Sequence, residues 1–117
     1  MRQPNLDNNP EGKKQQWKSG KLTGRKKHLR TLIWKTLPKQ AKENGGYPIY
    51  LNHCFARVVY DNICGGVWYG KLQAPVIPNL SEEQVELGIR IAHDMVNLGK
   101  ERVVEYNKKS LEWRKHV

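Results

Sequence analysis

Two cysteines, Cys54 and Cys64, are too few for a disulfide framework and fit reduced thiols. No apolar run approaches the roughly 18 residues that cross a bilayer. The opening Met1-Arg2-Gln3-Pro4-Asn5 lacks the apolar segment of a signal peptide, so the cytoplasm is the expected compartment. No phosphate-binding glycine loop, dinucleotide fingerprint or kinase or hydrolase element occurs; Gly65-Gly66 alone does not make one. His28, His53, Cys54, Cys64, His93 and His116 form none of the paired clusters that structural zinc favours, so neither metal nor cofactor is expected. At 117 residues the chain has room for one domain and a modest core, in which a deep substrate cavity would consume much of the stability.

Charge of one sign is abundant, and it is unevenly placed. The formal net charge is +10. Residues 1–44 carry 12 Lys/Arg against only Asp7, Glu11 and Glu43, whereas residues 81–117 carry 7 basic and 7 acidic side chains. Such asymmetry points to a polyanionic partner. Residues 1–24 combine Pro4, Pro10, Gly12, Gly20 and Gly24 with only Leu6, Trp17 and Leu22 as apolar groups. That is too little to offset the entropy of ordering, so this segment reads as a disordered basic arm, followed by a helical domain over 25–117.

In that domain Leu29, Leu32, Ile33 and Leu37 repeat at helical spacing, with Arg25, Lys26, Lys27, Arg30 and Lys35 on the other side. Pro38 should end or kink this helix. Over 48–72 two readings compete. A helix would align Leu51, Cys54, Phe55, Val58, Val59 and Ile63 and close at Gly65-Gly66, with Pro48 in its first turn; a hairpin would pair 55–60 with 67–69. Spacings of three and four favour the helix. The two prolines over 73–79 mark a connection. Ser81 with Gln84 makes a capping box, and Leu80 with Val85 a hydrophobic staple, so a helix should start there. Val85, Ile89, Ala92, Met95 and Val96 then face a core until Gly99 breaks or weakens it; helix continues over 101–113 with Val103, Val104 and Leu111 on one side. The fold class is all-α: a small bundle of three to four helices behind a basic arm.

The function expected is non-enzymatic: an accessory protein of a nucleoprotein assembly. Lys13, Lys14, Lys18, Lys21, Arg25, Lys26, Lys27, Arg30 and Lys35 would neutralise phosphates, and Trp17 would stack on an unpaired base. Trp17 tips the balance slightly toward RNA or single-stranded DNA over duplex. Trp68-Tyr69, flanked by glycines, is the exposed pair where bases or a partner protein would dock. A membrane surface fits poorly, since the arm offers no bulky apolar face. One alternative is an interaction module, a phage-type inhibitor or adaptor, binding an acidic or nucleic-acid-binding protein; a homodimer is also compatible with the exposed aromatics. A second alternative is a small enzyme built on His53, Arg57 and Asp61, which one helix stripe would align. The bland reading of those three is a polar edge on which Arg57 and Asp61 pair.

Overall fold

A continuous run of helix opens the computed structural model, which describes residues 19–115. It comprises α1 (Ser19–Thr31), a π-helical turn (Leu32–Thr36) and α2 (Leu37–Asn44). Lys13, Lys14, Trp17 and Lys18 lie outside the described residues. The last part of the expected arm, Ser19 to Gly24, is helical. Propagating an existing helix is cheap, and Leu22 packs against the core.

The π turn answers two features of the sequence. Leu29, Ile33, Leu37 and Ala41 are all buried, at a strict spacing of four. Three α-helical turns hold about 11 residues, so a stripe spanning twelve would drift off the core by about one position. The inserted residue takes up that drift: the N–H of Leu37 donates to the Leu32 carbonyl, five residues back. Pro38, which has no N–H to offer the carbonyl four residues earlier, follows directly. The helix therefore runs through Pro38 instead of ending there.

The middle of the chain is helical, as its apolar spacing indicates. α3 (Asn52–Cys64) buries Phe55, Val58, Val59 and Ile63 and ends at Gly65, which adopts φ 67° and a left-handed conformation. The helix starts after Pro48, which stays outside it, and Leu51 at its N-cap remains exposed. Residues 67–69 belong to a loop, joined to Leu72 only by an isolated bridge from Tyr69. The proline-containing connection holds one helical turn, α4 (Val76–Asn79), whose Val76 and Ile77 are buried. Pro78 is tolerated because the first-turn N–H groups have no intrahelical partner in any helix.

α5 (Glu82–Leu98) starts at the expected box. The N–H of Gln84 donates to Ser81 Oγ at 3.2 Å and the N–H of Ser81 to Gln84 Oε1 at 2.9 Å. Leu80 and Val85 are both buried. Gly99, at φ 73°, separates α5 from α6 (Lys100–Arg114). α3 packs against α5, α6 and the π turn, and α1 packs against α5. Gly88 sits at the tightest point: a Cβ there would meet Ile63 Cδ1 at 3.0 Å and Leu29 Cδ2 at 3.1 Å. The molecule is thus a small all-α bundle. Among the described residues there is no strand, and no helix is long and apolar enough to cross a membrane.

α6 faces the core differently from its apolar pattern. Val103 is fully buried, but Val104 and Leu111 are 43% and 47% exposed. The inward positions are instead Val103, Asn107, Ser110 and the half-buried Arg114. Three of these four are polar, and their partners lie on α3: Asp61 accepts from Ser110 and Arg114, and Arg57 donates to Asn107.

Candidate functional site

Asp61 stands inside the apolar stripe of α3 and is fully buried. A carboxylate is stable there only if every lone pair is met. Ser110 Oγ donates to Asp61 Oδ2 at 2.6 Å, and Arg114 Nε donates to the same oxygen at 2.8 Å. Oδ1 accepts from Arg114 Nη2 at 3.2 Å and from the backbone N–H of Trp68 at 3.0 Å. Arg57 extends the network, its Nη1 donating to Ser110 Oγ and its Nη2 to Asn107 Oδ1, each at 2.8 Å. The expected pairing of Arg57 with Asp61 is therefore replaced. Asp61 turns inward to Arg114, and Arg57 reaches α6 through Ser110 and Asn107. Hydrogen bonding to Asp61 is the largest influence on the Arg114 guanidinium, and it pushes that pKa further above its ordinary value.

This network fixes two guanidinium groups at the wall of a cavity of about 390 Å³, within the range of small-molecule sites. The walls are Trp34, His53, Cys54, Ala56, Arg57, Tyr60, Trp68, Tyr69 and Arg114. Among the described residues no carboxylate lines it. Its aromatic groups form a connected series. Tyr60 and Trp68 meet edge to face at 5.8 Å, Trp68 and Tyr69 at 4.8 Å, and the Arg114 guanidinium lies over the Tyr69 ring at 5.1 Å. Tyr69 is 63% exposed while Trp68 is half-buried, so the expected exposed pair is really a step from wall to rim. Burial pushes the Tyr60 phenol above its ordinary pKa, with the nearby charge of Arg30 opposing that shift. Trp34, next to Lys35 in the π turn and about one turn beyond Arg30, brings the first helix to the cavity wall. His53 is exposed and lines the cavity with Arg57, whereas Asp61 is fully buried and is not among its walls.

The cations of the first helix divide into two sets. Arg25 forms a two-pronged contact with Glu86 at 3.0 and 3.3 Å, and Lys26 Nζ donates to the Pro78 carbonyl at 2.7 Å. These side chains tie α1 to the bundle. Lys27, Arg30 and Lys35 are exposed, and among the described residues no ion pair joins them to a carboxylate. The residue inserted by the π turn brings Lys35 back into line with Lys27. Lys21 is also exposed on α1. No acidic residue occurs between Glu11 and Glu43, whereas Arg102, Arg114 and Lys115 at the other end of the chain all have carboxylate partners. A second, shallower depression of about 690 Å³ continues past Lys35 and Lys39 to Glu43 and Tyr47.

Asn107, Ser110, Arg114 and Trp34 are the site residues that sequence reasoning missed. The first three occur at helical spacing from the buried Val103, but polarity made that stripe look solvent-facing. Away from this site, His28 and His93 approach with their Nε2 atoms 3.1 Å apart, so at least one ring is neutral. Burial, then the charge of His93, lowers the pKa of His28. Among the described residues no group of three or more His, Cys, Asp or Glu side chains gathers as a metal site would require. Comparison with protein-family models, curated proteins and solved structures finds no match.

Proposed function

We propose that the protein binds nucleic acid without catalysing a reaction on it, as an accessory component of a nucleoprotein assembly. The observation that carries this reading is the ridge of Lys27, Arg30 and Lys35, exposed and without carboxylate partners, running beside a cavity of aromatic rings and arginines. Cations at successive turns of a helix match a ligand that carries one negative charge per unit, and phosphate contacts of this kind give affinity without sequence preference. The aromatic cavity adds what a plain cationic surface lacks, a place for a π-face. Lys13, Lys14, Trp17, Lys18 and Lys21 extend the same charge toward the N-terminus and are proposed to join the grip. Arg25 and Lys26 have a supporting role, holding the ridge on the bundle.

The test is a titration of the full chain into labelled single-stranded RNA, single-stranded DNA and duplex DNA at low salt, read by anisotropy. Saturable binding to at least one of them is expected. If none binds, the polyanion reading fails. The ridge would then be a docking surface for an acidic protein, and affinity capture with the intact chain would follow.

A further inference from the structure

We infer that the cavity between α3, the 67–72 loop and the end of α6 is a nucleotide subsite, taking one unstacked base on its aromatic rings and the adjoining phosphate on Arg57 and Arg114. The inference rests on the nucleic-acid reading for its strand form, but the subsite is argued from its own walls. Arg57 and Arg114 each place two hydrogen bonds onto the buried network. A guanidinium has five N–H donors, so each arginine keeps donors for an anion while its position is already fixed. An anion arriving there meets the charge of Arg57, bonded only to neutral groups, and the remaining donors of the Asp61-paired Arg114, both already ordered, and this lowers the entropic cost of binding.

The aromatic walls supply the second half of the ligand. Tyr69 is largely exposed, with the Arg114 guanidinium over its ring, and Trp34 reaches the cavity from the π turn. A base has a π-face for such rings whatever its identity. Among the described residues no carboxylate lines the walls and Arg57 has no carboxylate partner, so a cationic guest such as a methylated lysine is disfavoured. A phosphotyrosine peptide would satisfy the cavity alone. It would leave unexplained why the cavity adjoins Arg30 and the ridge of α1, which suits a chain of phosphates. A volume of about 390 Å³ also favours one base over a duplex, which would have to flip a nucleotide out at an unpairing cost.

The experiment compares wild type and Tyr69→Ala, both as full chains, against a short single strand carrying 2-aminopurine and against its blunt duplex. Tyr69 is exposed, and circular dichroism checks that the variant keeps its helices. Wild type is expected to bind the single strand at least tenfold more tightly than the duplex, with the 2-aminopurine emission quenched on stacking. Tyr69→Ala should weaken single-strand binding by roughly 5- to 150-fold, the range for losing one stacked base, and leave duplex binding unchanged. Tyr69→Phe should retain the wild-type affinity. Equal affinity for strand and duplex, indifferent to Tyr69→Ala, overturns the subsite while the nucleic-acid reading stands. A parallel arm follows tryptophan emission on adding a free 5′-mononucleotide, inorganic phosphate or a phosphotyrosine peptide. Mononucleotide binding without any strand binding keeps the subsite, assigns it to free nucleotide and removes the nucleic-acid reading. Binding of the phosphotyrosine peptide alone overturns the subsite.

Discussion

Replacing Asp61 with asparagine changes neither the size nor the shape of the side chain, yet it reaches the centre of the polar network. The carboxylate accepts four hydrogen bonds, two on each oxygen, and Arg114 donates to both. Asparagine offers one acceptor and one NH₂ group, so in either orientation an N–H faces a guanidinium N–H, and the charge that balances Arg114 is gone. Removing one partner of a buried ion pair costs about 3–5 kcal/mol. The Arg114 side chain keeps 22% of its surface exposed and can turn partly to water, which places the expected loss near the lower end, about 3 kcal/mol. That is a large share of the total stability of a domain this size. It corresponds to a fall of roughly 12–24 °C in Tm, at about 4–8 °C per kcal/mol. The assay is urea unfolding followed by circular dichroism, with Arg114→Gln and the double variant completing a cycle. The double variant should be less destabilised than the sum of the singles by more than about 1 kcal/mol. A loss below about 1 kcal/mol for Asp61→Asn, with additive singles, would refute the claim that this carboxylate holds the arginines in place.

Other expectations follow from single contacts. Ser81→Ala removes the acceptor of the capping box and should cost about 1 kcal/mol in urea unfolding, with no change in nucleic-acid affinity. Gly88→Ala should destabilise by about 1–3 kcal/mol, because its methyl group meets Ile63 and Leu29 where α1, α3 and α5 close; a thermal melt that is unchanged or raised would show that the contact yields freely. His28 has a folded-state pKa below its unfolded value, so the unfolded chain binds more protons. Stability is therefore fully present above about pH 6.5 and falls as the pH drops toward the folded pKa. Melts between pH 7.5 and 5 should show this decline, and His28→Asn should flatten it.

What was legible beforehand is what local chemistry dictates. Ser81 and Gln84 announce the start of α5, and the spacing of Phe55, Val58, Val59 and Ile63 establishes α3 without reference to the rest of the chain. The apolar positions of the first helix are also readable, but Pro38 predicts an end or a kink, and only the buried series Leu29, Ile33, Leu37 and Ala41 shows that the helix takes in an extra residue instead. The site was less legible because its elements meet through tertiary contacts. Val104 and Leu111 look like core and are exposed, while Asn107, Ser110 and Arg114 look like surface and face inward. Partners on α3 make that inversion stable: Asp61, 49 and 53 residues from Ser110 and Arg114, and Arg57, which donates to Asn107. Exposed Val104, Leu111 and Leu98 give the alternative of a protein partner a surface to use.

The ridge on α1 and the π turn carries the proposed function, and its charge can be removed without touching the core. The most direct measurement is the salt dependence of single-strand binding for the full chain, beside a Lys27→Ala/Arg30→Ala/Lys35→Ala variant. All three side chains are exposed, so the helix should persist. If each contacts a phosphate, the variant binds more weakly, and the slope of log K against log salt becomes shallower by about 2 units, at about 0.7 per lost contact. An unchanged affinity and slope would contradict the assignment of the ridge as the phosphate grip.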